Sequence, residues 1–331
     1  MLTKVHFNTL TLRNPFGIHH GNYNYRHQVI VELKEGSIRA FGETVAIDYY
    51  GVKAEDLKKA CEDLAKKLQG TDPGLSYHAF YSLLQEHCPN EPFVRCAFDE
   101  AFHDLKAKMS NQRIWQSLGL PNPQQSLSSI TIGLSDSKEL INRRVKEAWP
   151  FYKLKVKGTL PYELIKRLNE EEKQWGIDAN GSFKWGQAPK ILREVEELGG
   201  IYCEQLCPKG TWEKLEENMA NIPHLADESV TDLASAQKVL NQCDGFVLKL
   251  TKCGGITPVL DLIKFAKSNG KKLLAGCMTE SSIGINHMLA LSGQFDYCDL
   301  DGAFLISNDE EVAHSMQDGM RVLSENGKFR V

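Results

Sequence analysis

The second half of the chain repeats one unit, a short apolar segment followed by an amphipathic segment of helical length. Parallel strands joined by helical crossovers close into a ring when there are eight of them, so this repeat predicts a βα barrel. The carboxyl ends of the strands in such a barrel meet at one mouth, where its active sites lie. We predict strands at 128–132, 152–156, 176–179, 201–204, 224–227, 245–250, 272–275 and 297–300.

The first part of the chain follows a different pattern. Three strand-like segments come first and three helix-like segments follow, before the sequence Pro121-Asn122-Pro123 marks a junction. This order predicts an α+β domain over residues 1–122, ahead of a barrel domain over residues 123–331. The segments are 9–16, 27–33 and 38–45 for the strands, and 54–68, 75–86 and 92–108 for the helices.

Composition excludes several classes of function. At 331 residues the chain is long enough for both domains, and its net charge of −4 gives no electrostatic footprint for nucleic acid. No apolar run approaches the roughly 18 to 20 residues that span a membrane, and the first residues lack an apolar signal region. We therefore expect a cytoplasmic protein without nucleic-acid or membrane partners. The 9 cysteines form no Cys-x-x-Cys pair, so we expect reduced thiols and not a zinc site.

Three carboxylates stand at the ends of consecutive predicted strands: Asp178, Glu204 and Asp227. Each alone could be a turn residue or a helix cap. Three in succession on neighbouring strands instead predict a metal site, because the strand ends converge. Oxygen ligands without histidine or thiolate favour Mg²⁺, here one ion per subunit, with Mn²⁺ as a substitute. Asn180 and Glu228 are expected beside the ligands and not among them.

Lysines flank these carboxylates on both sides of the predicted ring. Lys155 and Lys157 have the same parity on strand two, and Lys249 lies on strand six, four strands away. Taken singly, the pair on strand two could be solvated lysines at a strand end. A neighbouring ammonium and partial burial would lower the pKa of a lysine, so one of them could act as a base. Acid/base groups on opposite faces are what a racemase or epimerase requires. Lys252 has the opposite parity and is predicted to be a loop or phase-shifted residue and not the catalyst.

Five motifs in this order resemble the enolase superfamily, its muconate-lactonizing-enzyme-like subgroup and, within that, the dipeptide epimerases. They are Lys155-Val156-Lys157, Asp178-Ala179-Asn180, Cys203-Glu204-Gln205, Ala226-Asp227-Glu228-Ser229 and the segment from Lys249 to Gly255. The resemblance covers essentially the whole chain and implies an α/β fold, a modified TIM barrel (β/α)7β with an N-terminal α+β capping domain. The C-terminal tail is a candidate for completing that domain.

The same resemblance implies roles for the site residues. Lys157 and Lys249 would be the acid/base pair, with Lys155 as an electrostatic neighbour. Asp178, Glu204 and Asp227 would bind Mg²⁺. The expected reaction inverts the α-carbon of a dipeptide's C-terminal residue by 1,1-proton transfer through an enediolate.

Asp299-Leu300-Asp301 on the eighth strand distinguishes between members of this subgroup. The two carboxylates have equal parity, and the resemblance implies that Asp299 and Asp301 clamp the free α-amino group of a dipeptide. Other reactions on the same core remain open: N-acylamino-acid racemase, o-succinylbenzoate synthase and muconate cycloisomerase. A barrel that binds dipeptides without turnover is an alternative of another class.

The identity of the dipeptide is predicted from a capping loop at 16–23, which contains His19 and His20. Epimerases acting on Ala-Glu are expected to carry an arginine in this loop, so the histidines favour an apolar or mixed second residue. Met278, in the segment after strand seven, is expected to line the same pocket. The expected partner is the small dipeptide substrate, and a homo-oligomer is an open expectation.

Overall fold

The computed structural model describes residues 1–18, 21–123, 127–147, 149, 151–212 and 220–309. The chain begins with a three-stranded antiparallel sheet in the order β1-β2-β3. Its strands are β1 Leu2–Ile18, β2 Gly21–Glu35 and β3 Ile38–Val45. The predicted loop at 16–23 continues this hairpin, since Phe16 pairs with Tyr23 and Ile18 with Gly21. His19 and His20 lie outside the described residues.

Four helices follow the sheet, after a short 3-10 helix at Asp48–Tyr50. Phe98 and Phe102 of the third helix are fully buried. Gly42 on β3 allows this close approach, because a Cβ there would lie 2.1 Å from the carbonyl oxygen of Ala97. The three predicted helices of this domain are confirmed. The four are α1 Ala54–Lys67, α2 Tyr77–His87, α3 Pro92–Met109 and α4 Ile114–Ser117.

An eight-stranded parallel sheet forms the rest of the fold, with its strands in sequence order. The first and last strands meet, because Ser128 bridges to Cys298 and the amide of Ser129 donates to the carbonyl of Cys298 at 2.9 Å. The predicted capped barrel is therefore confirmed. Its strands are β4 Ile130–Ile132, β5 Phe151–Lys155, β6 Gln174–Asp178, β7 Cys203–Glu204, β8 His224–Ala226, β9 Gly245–Leu248, β10 Lys272–Gly276 and β11 Tyr297–Asp299.

Helices connect these strands, and short 3-10 helices lie at Trp185–Gln187, Ser292–Gln294 and Gly302–Leu305. The sequence patterns did not predict α9 or α11. No helix in the described ranges is long and apolar enough to cross a membrane. The barrel helices are α5 Lys138–Lys146, α6 Tyr162–Glu170, α7 Ala188–Glu197, α8 Leu233–Val239, α9 Leu250–Cys253, α10 Ile256–Ser268 and α11 Ser282–Leu289.

The two domains are joined by buried polar contacts as well as by packing. Asp99 on α3 accepts hydrogen bonds from the amide of Thr257 at 2.8 Å and from its hydroxyl at 2.7 Å. After β11 the chain returns to the first sheet, where the amide of Ser307 donates to the carbonyl of Thr11 at 2.8 Å. The tail predicted to complete the capping domain lies outside the described residues from 310 onward.

Candidate active site

A cavity of about 90 Å³ lies between the capping domain and the carboxyl ends of the barrel strands. The capping domain contributes Arg26, Ile47, Tyr49 and Tyr50. The barrel contributes charged groups from opposite sides of the ring, since β5 and β9 are four strands apart. These barrel groups are Lys153, Lys155, Asp227, Glu228, Lys249, Asp299 and Asp301.

The three predicted metal ligands lie at the ends of three adjacent strands. Asp178 ends β6 and pairs in register with Glu204, which ends β7, and Asp227 follows directly after β8. All three are buried, with exposed fractions of 0%, 0% and 1%. Parallel pairing therefore places three carboxylates side by side without access to bulk water, as the sequence predicts.

Lysines contact two of these carboxylates directly. The ammonium of Lys249 lies 2.6 Å from Asp227 Oδ2, and that of Lys252 lies 2.6 Å from Asp227 Oδ1. Lys155 donates to Asp178 Oδ2 and, at 3.3 Å, to Asn180 Oδ1. Burial raises the pKa of the Asp227 carboxyl, but Lys249 and Lys252 outweigh it and hold the pKa below its usual range. Asp227 is therefore ionised.

Lys252 lies in a helical turn and not in a loop, which corrects that one of the two predicted placements. It is 1% exposed on α9, a single helical turn that starts directly after Lys249. Besides Asp227, its ammonium donates to the carbonyl of Val247 at 2.9 Å. Of these two lysines, only Lys249 lines the cavity.

Lys157 is not part of the site, which corrects its assignment as an acid/base group. β5 ends at Lys155, and the chain then bends through Gly158, where φ is 72°. The side chain of Lys157 is exposed and does not line the cavity. The lysine pair that faces the barrel interior is instead Lys153 and Lys155.

Lys153 is a site residue that the sequence reasoning missed. Its side chain is 4% exposed, contacts Asp299 Oδ2, and lies 3.7 Å from Glu204 Oε2 and 3.8 Å from Asp178 Oδ2. Burial lowers the pKa of Lys153, but the carboxylates of Asp299, Glu204 and Asp178 outweigh it and raise the pKa well above its ordinary value. The sequence contained the evidence for Lys153, because it has the same parity as Lys155 and so faces the same side of the strand.

The donor set fits a divalent cation. Both carboxylate oxygens of Glu204 are buried and lack a hydrogen-bond partner among the described residues. Burial, followed by the charge of Asp178, raises the pKa of Glu204 well above its usual range, so the site needs positive charge. Four lysines and six carboxyl groups meet here, and full ionisation would leave two negative charges: Lys153, Lys155, Lys249 and Lys252 with Asp178, Glu204, Asp227, Glu228, Asp299 and Asp301.

Among the described residues, no three histidine, cysteine or carboxylate side chains are already gathered around one point at metal-binding distance. The reason is visible in the contacts of Asp178 and Asp227, whose oxygens are taken by lysine ammonium groups. Binding a divalent ion requires these carboxylates to exchange lysine contacts for the ion. Asn180 and Glu228 lie beside the ligands as predicted, and Asn180 Nδ2 donates to Glu228 Oε1 at 3.0 Å.

Asp299 and Asp301 both reach the cavity but have different partners. Asp299 accepts from Ser129 Oγ at 2.5 Å and contacts Lys153, so both of its oxygens are engaged. Asp301 Oδ2 accepts from the amide of Thr131 at 2.7 Å. Burial, followed by the charge of Asp299, raises the pKa of Asp301 to about 6.

Two further side chains line the cavity. Met278 lines the cavity, as the sequence predicts. Arg26 on β2 was missed because it lies three residues beyond the loop at 16–23. Its guanidinium stacks 3.6 Å from the centre of the Tyr23 ring, is 7% exposed, and has no partner for Nε within the described ranges. A cationic group therefore faces the cavity from the capping domain.

Comparison with known proteins gives matches over the whole fold. Residues 2–119 match the family model of the mandelate racemase / muconate lactonizing enzyme N-terminal domain, and residues 136–327 match the enolase C-terminal domain-like model. An L-Ala-D/L-amino acid epimerase of Maribacter sp. is 32% identical over 94% of this chain and 92% of the relative. A protein of the same name from Flavobacterium johnsoniae is 29% identical over 94% of this chain and 93% of the relative.

Among solved structures, a dipeptide epimerase from Methylococcus capsulatus, complexed with Mg and the dipeptide L-Arg-D-Lys, superposes with a TM-score of 0.84. It is 26% identical in sequence, and the match covers 93% of this chain and 92% of that one. The capped barrel is thus similar in fold to a protein with a bound metal ion and dipeptide.

Proposed function

This chain belongs to the mandelate racemase and muconate lactonizing enzyme family of the enolase superfamily, and we infer that it is a magnesium-dependent dipeptide epimerase. Its reaction inverts the α-carbon of the C-terminal residue of a dipeptide. The observation that best supports the mechanism is the placement of Lys155 and Lys249. They stand four strands apart in the ring and face the same cavity.

Lys155 and Lys249 are the acid/base pair of this proposal. A substrate α-carbon held between them presents one face to each side chain. A neutral amine on one side removes the α-proton as that C–H bond breaks, and the ammonium on the other side gives a proton to the opposite face. After one turnover the first lysine is protonated and the second is neutral. The reverse reaction, or proton exchange with water, restores the starting protonation states. Lys157, outside the cavity, takes no part.

The substrate's charged ends have complementary groups in the cavity. Asp301, when ionised, accepts the free α-ammonium group, while Lys153 keeps Asp299 neutralised beside it. Asp178, Glu204 and Asp227 would hold Mg²⁺, which when bound supplies the positive charge that stabilises the enediolate form of the substrate carboxylate. Mn²⁺ offers the same coordination chemistry.

The capping domain closes this arrangement. Tyr49 and Tyr50, on the 3-10 helix that follows β3, line the cavity above the barrel charges. Burial, followed by the charges of Glu228 and Asp227, raises the pKa of Tyr49 to about 12, so the hydroxyl stays neutral. Excluding water strengthens each electrostatic contact with the substrate, because the local dielectric constant is low.

Deuterium incorporation tests this function. A dipeptide epimerised in D₂O should carry deuterium at the inverted α-carbon of its C-terminal residue. The Lys155→Ala and Lys249→Ala variants should both lose epimerisation, while each still exchanges the α-proton of one epimer. Lys157→Ala is the matched control and should keep wild-type activity, because its side chain is exposed. Loss of activity in Lys157→Ala together with full activity in Lys155→Ala would reverse the assignment.

The alternative reactions are not favoured. N-acyl amino acids and succinylbenzoate or muconate derivatives lack the free ammonium group that would pair with Asp301. A barrel that binds without turnover would incorporate no deuterium, and it would not need a lysine on each face of its ligand.

A further inference from the structure

Three buried carboxyl groups meet where the capping domain touches the barrel, away from the metal ligands. They are Glu43 on β3, Glu100 on α3 and Glu280 between β10 and α11, with exposed fractions of 0%, 1% and 5%. Within the described residues, none of them forms an ion pair with a lysine or arginine. Buried carboxyl groups are costly unless they are paired or protonated, so this cluster calls for an explanation.

Glu43 connects the two domains. Its Oε1 accepts from the amide of Ser281 at 2.8 Å, and its Oε2 accepts from the Ser281 hydroxyl at 2.5 Å and the amide of Gly284 at 2.9 Å. These amides stand at the start of α11 and have no partner within that helix. A side chain of the capping domain thus caps a barrel helix.

Glu280 holds the wall of the active-site cavity. Its Oε1 accepts from the amide of Met278 at 3.1 Å, and its Oε2 accepts from the hydroxyl of Thr251 at 3.2 Å. Met278 and Thr279 line the cavity itself. Glu280 therefore ties the end of β10 to α9, the turn that directly follows Lys249.

Glu43 and Glu280 approach each other across a glycine. A Cβ on Gly284 would lie 3.1 Å from Glu280 Oε2 and 3.3 Å from Glu43 Oε2, so both oxygens border the space beside this glycine. Glu100 joins from the other side, because its Oε2 accepts from the amide of Glu43 at 2.9 Å. Three negative charges in such a small buried volume would repel strongly.

Among the described residues, no lysine or arginine supplies a counter-charge at contact distance, and only His287, when protonated, would pair with one member of the cluster, Glu100. Facing the cluster are Cys96, which donates to Glu100 Oε1 at 3.1 Å, His287, 3.5 Å from Glu100 Oε2, Asp99, which is bound to Thr257, and the more distant Lys249. Burial, followed by the charge of Glu43, raises the pKa of Glu280 to about 8. Burial also raises the pKa of Glu43 and of Glu100. Glu280 therefore keeps its proton at neutral pH.

We propose that Glu43 and Glu280 are positioning residues that hold the Met278–Thr279 wall of the cavity against the capping domain, and that they do so only while the cluster retains a proton. The effect on turnover rests on the proposed function, whereas the effect on the wall itself does not. When the wall detaches, Glu280 reaches water and ionises with an ordinary pKa. Detachment therefore releases a proton, and its equilibrium constant rises with pH as long as the attached cluster keeps that proton, up to about pH 8.

Hydrogen exchange of the full-length protein measures this equilibrium without a substrate. After correction for intrinsic rates, the opening constant of a peptide over residues 277–284 should rise about tenfold per pH unit between pH 6 and 7.5. A peptide over β9 serves as the internal reference. The slope of the logarithm of the opening constant against pH counts the protons released on opening. In Glu280→Gln, which has a neutral side chain of the same shape, this slope should fall by about one. Glu43→Gln should lower it by a similar amount. Glu163→Gln, an exposed control on α6, should keep the wild-type slope.

Kinetics separates a positioning role from a purely structural one. The substrate's own α-ammonium group deprotonates at about pH 8 and raises KM in both proteins, so the test is the difference between them. The wild-type KM for the dipeptide should rise severalfold more than that of Glu280→Gln between pH 7 and 9, with a smaller change in kcat. A wild-type opening constant that is independent of pH overturns the proposal, as does a Glu280→Gln slope equal to that of the wild type. Failure to epimerise any dipeptide would overturn the proposed function and leave the exchange result intact.

Discussion

The ammonium of Lys153 lies against Oδ2 of Asp299, so one carboxylate of the Asp299-Leu300-Asp301 motif is neutralised before a substrate arrives. Ser129 holds the other oxygen of Asp299 at 2.5 Å. Within the described residues no lysine or arginine forms an ion pair with Asp301. The two aspartates therefore have different partners, and we propose a division of tasks between them in place of the expectation that both clamp the substrate amine.

Variants of the two aspartates should have different effects, one on catalysis and the other on stability. Asp301→Asn should lower kcat/KM for a dipeptide by roughly a hundredfold, and the preference for a free amine over its N-acetylated form should collapse, because the neutral side chain no longer balances the ammonium. Asp299→Asn should keep that preference but lower the melting temperature, since Lys153 loses its closest partner. Equal turnover of acetylated and free dipeptides by the wild type would contradict this assignment.

The activity should depend on pH through Asp301. Its pKa of about 6 lies above the ordinary value, so the carboxylate is ionised and able to bind an ammonium only above that pH. We expect kcat/KM for a free-amine dipeptide to fall as the pH is lowered through about 6, with a matching rise in KM. In Asp301→Asn this limb of the profile should be absent. A wild-type profile that is flat between pH 5 and 7 would show that another group accepts the amine.

Removal of the metal should abolish activity, and Mg²⁺ should restore it. Glu204→Gln is the most specific test of the metal site, because neither carboxylate oxygen of Glu204 has a hydrogen-bond partner among the described residues. The substitution keeps the shape of the side chain and removes its charge. We expect at least a tenfold weaker Mg²⁺ affinity by titration calorimetry, about 1.4 kcal/mol. The exposed Glu163→Gln is the control. Full activity in excess chelator would exclude the metal-assisted mechanism.

Arg26 should influence which side chains the enzyme accepts. Its buried Nε has no partner among the described groups, and a buried guanidinium gains when an anion pairs with it. We expect Arg26→Met to lower kcat/KM for L-Ala-L-Glu at least tenfold while leaving L-Ala-L-Met within about twofold. Lys4→Met, an exposed change on β1, is the control. An equal loss for both dipeptides would mean that Arg26 supports the cavity without selecting the side chain.

Packing of α3 on the first sheet depends on Gly42, which has no side chain. In Gly42→Ala the new methyl group would meet the carbonyl oxygen of Ala97 at 2.1 Å, a backbone atom that cannot turn away. We expect a loss of about 3 kcal/mol in the free energy of unfolding, measured by denaturant titration. Gly186→Ala is the matched control, since its added Cβ meets nothing within 4 Å. Equal stability of the two variants would contradict this packing.

Periodicity predicted all eight barrel strands, because a buried strand between two helices has a strong and local pattern. The periodic pattern was a poorer guide to where helices end and to very short helices. Helix α6 ends at Glu170, and Glu172, with φ of 53°, turns the chain into β6. The turn α9 was missed because four residues are too few to show a helical period.

The sequence by itself determined the order of the strands and the presence of three carboxylates at consecutive strand ends, because both are properties of neighbouring residues. It could not choose between lysines, since Lys153, Lys155 and Lys157 alternate with Leu154 and Val156 and so share one face by the period of two. The tertiary structure decided, because Lys155 pairs in register with Asp178 and the strand stops there. Where a strand ends depends on its partner strand, and that information is not local to the chain.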